Sequence, residues 1–86
     1  MYKLIILTPA EDFLKRLYYI DKSHFIRIRS SLISLKSNPF KGKPLKHAFK
    51  GQYSLRVGFY RIIYKVDQRI ITVSVADIGH RRNIYN

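Results

Sequence analysis

Three consecutive runs of β-forming residues fill the second half of the chain and restrict its fold more than any other feature. The runs cover residues 52–57, 59–66 and 70–78, and the breaks between them are Gly58 and the tripeptide Asp67-Gln68-Arg69. Breaks this short suit hairpins, whereas parallel neighbours need a crossover of a dozen or more residues. The sequence therefore predicts a three-stranded antiparallel meander.

The first residues predict a strand followed at once by a helix. Residues 2–7 are apolar almost throughout, a pattern that favours a strand covered on both faces. Thr8 is then expected to cap a helix, with Pro9 at the first helical position and Glu11 completing a capping box. The apolar residues of this helix recur at helical spacing: Ala10, Phe13, Leu14 and Leu17.

A second amphipathic helix is expected after a short corner. Asp21 or Ser23 can cap its start, and Asn38-Pro39 ends it. Its apolar stripe consists of Phe25, Ile28, Leu32 and Leu35. Two such helices form an antiparallel hairpin whose apolar side needs a surface to cover. We therefore expect an α+β fold over residues 1–86, one domain, with an N-terminal strand, the helix hairpin on one face of the sheet, and the meander.

The charge balance indicates an anionic partner. Seventeen Lys and Arg oppose five Asp and Glu, which gives a formal net charge of +12. Nucleic acid, an anionic membrane and an acidic protein all fit such a surplus, and so does a surface that serves solubility alone. The apolar run before Pro9 is too short for a membrane span, so a cytoplasmic protein is expected.

Metal and thiol chemistry are not expected. The chain has no cysteine, which excludes disulfides, thiolate catalysis and the usual zinc clusters. His24 and His47 are interpreted as surface residues too far apart in the sequence to form a metal site. No cofactor is predicted.

Alternation along the strands predicts a basic face on the sheet. Arg56 and Arg61 fall opposite the apolar sets of their strands and should point away from the helices together. The loop of residues 40–51 brings several lysines, and residues 79–86 add His80, Arg81, Arg82 and Tyr85 after the last strand. Guanidinium groups gathered on a helix-free face would grip a sugar-phosphate backbone, although each of these cations could also be simply solvated.

Two motifs resemble those of the RelE/ParE toxin superfamily. The segment Leu55-Arg56-Val57-Gly58-Phe59-Tyr60-Arg61-Ile62-Ile63-Tyr64 resembles that family's L-R-x-G-x-Y-R-[VIL]-[VIL]-Y run, and the tail Gly79-His80-Arg81-Arg82-Asn83-Ile84-Tyr85 is similar to its G-H-R-[RK]-x-[VI]-Y ending. With the order of elements, the resemblance covers nearly the whole chain. It implies the toxin of a type II toxin–antitoxin system, a metal-independent endoribonuclease that cuts messenger RNA on the ribosome through attack by the 2′-hydroxyl. It also implies an antitoxin partner, which the charge balance predicts to be at least partly acidic.

The resemblance also implies roles for individual residues. Catalytic roles fall on Arg61, Arg81 and Tyr85, and Arg56 corresponds to a basic position beside them. His80, with an ordinary pKa of about 6.5, is suited to acid–base work at neutral pH. The expected RNA-binding residues are Arg56, Arg82, Lys50, Lys46 and Lys43.

The sequence departs from the RelE branch at two positions. Well-studied RelE-type nucleases carry further lysines on the first meander strand, where this chain has Gln52 and Ser54. The departure leaves open a ParE-like inhibitor of DNA gyrase. A basic module that binds RNA or the ribosome without catalysis is a further alternative.

Overall fold

The computed structural model describes residues 1–46 and 51–80. The elements, in chain order, are strand β1 (Lys3–Ile6), helix α1 (Thr8–Ile20), helix α2 (Lys22–Ser34), and strands β2 (Lys43–Pro44), β3 (Gln52–Val57), β4 (Tyr60–Asp67) and β5 (Thr72–His80). The described strands form one sheet in the order β1-β5-β4-β3-β2. The predicted α+β class is confirmed, with β3, β4 and β5 as an antiparallel meander.

The helix hairpin covers one face of the sheet, as predicted. The buried side chains on this face come from both helices and the three meander strands: Ala10, Leu17, Ile28, Leu32, Leu35, Val57, Ile62, Tyr64, Val73, Val75 and Ile78. Both α1 and α2 present an apolar stripe at helical spacing, so burial of these stripes against the sheet supplies most of the driving force for the fold. The opposite face of the sheet carries no helix of the described chain.

Strand β1 lies at an edge, and the prediction that both of its faces are covered is wrong. It pairs in parallel with β5 alone, with Leu4 opposite Val73. Leu4 and Ile6 pack against the core, whereas Ile5 is 42% exposed. The apolar run therefore predicted the strand correctly. It did not predict that one face of β1 is open, because the helices cover only the other face of the sheet.

The two helix starts differ in how they are capped. Thr8 is already helical, and Leu7 occupies the cap position without a side-chain hydrogen bond, so the predicted capping box is wrong. The reason is that the Leu7 N–H still donates to the Val75 carbonyl at 2.9 Å, which keeps Leu7 extended until the helix begins. Asp21 caps α2 as predicted, because its side chain accepts the His24 backbone N–H at 3.2 Å.

Two features of the sheet were not predicted. Strand β2 forms within the expected loop of residues 40–51 and pairs with β3. In addition, the β4–β5 register shifts between Ile63 and Tyr64, whose partners are Asp77 and Val75, so Ala76 is an extra residue in β5. Such a bulge reverses which side chains face the core. Ile78 is consequently buried, and the last strand extends to His80.

Candidate functional site

Arg56 and Arg61 form a cross-strand pair on the open face of the sheet. They lie directly opposite each other in the β3–β4 register, and residues opposite each other share a face. Their neighbours in sequence, Val57 and Ile62, are buried on the helix side. The structure thus places both guanidinium groups on the face away from the helices, as the alternation predicts.

A serine hydroxyl holds Arg61 in place. Arg61 Nη1 donates to Ser54 Oγ at 3.0 Å, and Ser54 is only 4% exposed. Ser54 stands two positions before Arg56 on the same strand, so the contact runs diagonally across the hairpin. From the sequence, Ser54 was noted only as a position where RelE-type nucleases carry a lysine, and no pattern predicted that it would position Arg61.

These residues line a cleft of about 420 Å³ at the end of β2. Its lining consists of Lys41, Gly42, Lys43, Ser54, Leu55, Arg56 and Arg61. Lys43 lies opposite Ser54 in the β2–β3 register, which places it on the same face as the arginines. Four cations and no carboxylate among the described residues surround this cleft, an arrangement suited to a phosphate group.

Of the other expected site residues, Lys46 and His80 are described and do not line this cleft. Lys46 is exposed beyond the end of β2. Lys50, Arg81, Arg82 and Tyr85 lie outside the described residues, as does His47. The described part of the site is therefore the arginine pair, Ser54 and the lysines of residues 41–43.

His80 lies on the opposite face from Arg61. It pairs with Tyr60, and the two rings meet edge to face with their centroids 6.0 Å apart. Arg61 instead pairs with Gly79. His80 was expected in a tail beside the arginines, but β5 extends to His80, and after the bulge at Ala76 the strand turns this side chain toward the helices.

His24 is packed and hydrogen-bonded, so the interpretation of it as a surface residue is wrong. Its Nδ1 lies 2.8 Å from Asp21 Oδ2, and its side chain is 14% exposed. The ring contacts Phe59 and Tyr60, with centroids 5.3 and 5.2 Å away. Hydrogen bonding from the His24 backbone N–H holds the pKa of Asp21 below its ordinary value, with the His24 ring and Arg27 adding to the effect. His24 therefore braces the turn between β3 and β4.

The described residues show neither a metal cluster nor a membrane helix. No group of three or more His, Cys, Asp and Glu side chains within residues 1–46 and 51–80 is placed to hold a metal ion. Neither helix of the same ranges has the length and hydrophobicity that crossing a membrane requires.

The family of this chain follows from comparison with known protein families. A family model described as the ParE toxin of the type II toxin–antitoxin system parDE matches residues 4–85. The chain belongs to this family. The resemblance to the RelE/ParE toxin superfamily is thereby confirmed.

Relatives of this ParE-family toxin include members of the RelE branch. Toxin RelG of Mycobacterium tuberculosis is 41% identical over 44 residues, which is 51% of each chain, so the match spans about half the length of that curated relative. The toxin–antitoxin complex RelBE2 of the same organism contains a chain with a TM-score of 0.81 and 27% identity, with 93% of this chain and 98% of that chain covered.

More distant solved structures share the fold of this ParE-family toxin. The YoeB/ParE toxin of Agrobacterium tumefaciens has a TM-score of 0.81 at 23% identity, with 91% and 96% of the two chains covered. The intact RelBE complex of E. coli gives 0.77 at 16% identity, with 93% and 96% covered. At these identities the likeness shows the fold alone.

Proposed function

We propose that this toxin is a ribosome-dependent endoribonuclease that cuts messenger RNA without a metal ion. The observation that carries the proposal is the Arg56–Arg61 pair on the open sheet face, with Arg61 held by Ser54 beside a cationic cleft. A cleft walled by guanidinium and ammonium groups binds a phosphodiester, and the pair is rigid because both members stand on strands.

The proposed reaction is an internal transesterification. The 2′-oxygen loses its proton and attacks the neighbouring phosphorus, and the bond from phosphorus to the 5′-oxygen breaks as that oxygen gains a proton. The products are a 2′,3′-cyclic phosphate and a 5′-hydroxyl. The phosphorane carries an additional negative charge, which Arg61 and Arg56 stabilise because they remain protonated at neutral pH.

The residues after β5 are proposed to complete this site. Arg81 would add positive charge at the phosphate, and Tyr85 would take part in proton transfer. Tyr85 rather than His80 would fill that role, since the His80 ring faces Tyr60 on the other side of the sheet. Lys43, Lys46, Lys50 and Arg82 would contact flanking phosphates.

Primer extension on a translated message tests the proposal. Wild type should produce discrete cuts within codons, and the Arg61→Ala, Arg81→Ala double variant should lower the cutting rate by about 10²- to 10³-fold, as loss of charge stabilisation does in other enzymes. Arg69→Ala is a matched control, because Arg69 is exposed in the β4–β5 turn away from the cleft. Absence of cuts with wild type would defeat the proposal, and toxicity that survives in the double variant with RNA intact would favour a non-catalytic binding module.

An antitoxin is the proposed protein partner. Several similar solved structures are toxin–antitoxin complexes, including RelBE2 and RelBE. The net charge of +12 favours a partner that is at least partly acidic. Tyr19 and Ile20, at the end of α1, are 84% and 76% exposed and offer apolar contacts. Expression with and without the neighbouring open reading frame tests this: the neighbour should restore growth and purify with the toxin.

A ParE-like inhibitor of DNA gyrase is the second candidate. The matched family model is that of the ParE toxin, and Gln52 and Ser54 stand where RelE-type nucleases carry lysines. A supercoiling assay decides between them. Inhibition of gyrase by the toxin, together with an intact message, would support this candidate, and unaltered gyrase activity at saturating toxin would rule it out.

A further inference from the structure

Tyr64 reaches from the core to the segment that carries the cleft lysines. Its side chain is fully buried on the helix side of β4, and its ring stacks on Tyr53 with centroids 5.5 Å apart. Its hydroxyl oxygen accepts the Gly42 backbone N–H at 2.9 Å, across 22 positions of sequence. Burial raises the pKa of Tyr64, against the smaller opposing effect of the Gly42 N–H.

Gly42 is the residue that allows this approach. A β-carbon at position 42 would stand 2.6 Å from the Tyr64 hydroxyl oxygen and 3.0 Å from the Ser54 carbonyl oxygen. The first distance is shorter than real β-carbon contacts and the second is tight, so a side chain at position 42 would have to displace the Tyr64 hydroxyl or the backbone of β3. The hydrogen bond between Tyr64 and residue 42 therefore depends on glycine at this position.

Strand β2 depends on contacts at its two ends. It has two residues, Lys43 and Pro44, and proline has no N–H to donate to the sheet. The Gly42 N–H bonds to Tyr64 before β2, and the Leu45 N–H bonds to the Gln52 carbonyl at 2.9 Å after it. The Tyr64 hydroxyl thus fixes the end of β2 from which Lys43 projects.

We propose that Tyr64 is a positioning residue for substrate binding, and that its hydroxyl acts through Gly42 to hold Lys43 in the cleft. This inference rests on the proposed function, because Lys43 matters only if the cleft binds RNA. Among residues 1–46 and 51–80, the Lys43 side chain makes no hydrogen bond or ion pair, so the backbone of β2 is what places its ammonium on the face of Ser54. Without the hydroxyl, the lysine would no longer be held at the phosphate.

The test is a binding titration against salt. A short single-stranded RNA with a 2′-deoxy sugar at the cleavage position, labelled for fluorescence anisotropy, is titrated with wild type, Tyr64→Phe, Lys43→Ala and the double variant. We expect each single variant to weaken binding about fivefold and to reduce the slope of log K against log salt by about 0.7, the value of one single-strand phosphate contact. The double variant should be no weaker than Lys43→Ala, because Tyr64 acts through Lys43.

Tyr53→Phe is the matched control. Tyr53 is the stacking partner of Tyr64, and its hydroxyl makes no hydrogen bond within the described ranges. It should bind RNA as wild type does. A purely structural role for the Tyr64 hydroxyl would lower stability without this change in salt slope and without the non-additivity with Lys43→Ala.

Three results would count against the inference. An unchanged slope in Tyr64→Phe, or a double variant whose losses add, would overturn it while leaving the proposed function standing. If wild type binds no RNA at any salt, the inference fails, whereas the proposed function is decided separately by primer extension on the translated message. Should Tyr64→Phe not fold, Gly42→Ala replaces it, because its β-carbon must displace the same segment, and the same loss of slope is required.

Discussion

The Ser54 hydroxyl is a small group with a large expected effect on activity. Ser54→Ala removes the 3.0 Å contact to Arg61 and leaves the buried position filled. Loss of one hydrogen bond to a charged group, worth about 1.5 kcal/mol, should slow single-turnover cleavage of ribosome-bound message about tenfold. Ser74→Ala is the control, since Ser74 lies opposite Lys65, away from Arg61, and its hydroxyl has no hydrogen bond within residues 1–46 and 51–80. Equal rates in the two variants would show that Ser54 does not position Arg61.

Asp21 should make stability depend on pH in the acid range. The pKa of Asp21 is lowered in the folded state, chiefly by the His24 backbone N–H, so the ionised carboxylate stabilises the fold. This contribution is fully present above the unfolded value of about 3.9 and is lost as pH falls through the lower folded value. Urea denaturation of wild type and Asp21→Asn from pH 6 to pH 2.5 should show a difference in unfolding free energy that shrinks below about pH 3.9. A difference that is constant over this range would contradict the assignment.

Gly58, in the β3–β4 turn, should tolerate a side chain less well than Gly51, because both backbone conformation and lack of space act against a side chain at position 58. Gly58 has a φ of +58°, and a β-carbon there would stand 2.6 Å from His24 Nε2 and 3.1 Å from Arg27 Nη1. Gly51 has a φ of +92°, but a β-carbon there meets nothing within 4 Å. Gly51→Ala should therefore cost about 1–2 kcal/mol from the left-handed backbone, and Gly58→Ala should cost a further 1–3 kcal/mol from overlap with the helix. Thermal denaturation of both variants measures the two effects, and equal losses would mean that His24 does not brace the turn.

The elements that sequence predicted well are those governed by local rules. The meander followed from two short breaks, and the Arg56–Arg61 pair followed from alternation on either side of a tight turn. The cap at Asp21 also depends on a contact three residues away. In each case, the residues that determine the structure lie within a few positions of one another, so the pattern is readable along the chain.

The elements that sequence did not predict depend on partners far away in the chain. Whether β1 has a covered or an open face depends on its place beside β5 at the edge of the sheet. Pairing of β2 depends on Tyr64 and β3, and the position of His80 depends on the bulge at Ala76. No periodicity within these segments indicates such contacts.

The positive charge of the molecule destabilises the folded state both overall and locally at the arginine pair. With a net charge of +12 the folded chain repels itself, so any added salt should raise its stability through screening. The Arg56–Arg61 pair adds a local term, because two like charges lie directly opposite each other on adjacent strands. An anion bound in the cleft would relieve that repulsion in addition to the general effect.

Sulfate should therefore stabilise the protein more than chloride at equal ionic strength, and the excess should depend on Arg61. At a sulfate concentration ten times its dissociation constant, a site present in the folded state alone contributes about 1.4 kcal/mol to the free energy of unfolding. Urea denaturation in sulfate and in chloride should show this excess in wild type and in Arg69→Ala, and not in Arg61→Ala. Arg69→Ala removes the same charge from an exposed turn, so it corrects for the change in net charge. If all three proteins gain equally from sulfate, the gain is a general effect of the anion on the protein surface and the cleft is not an anion site.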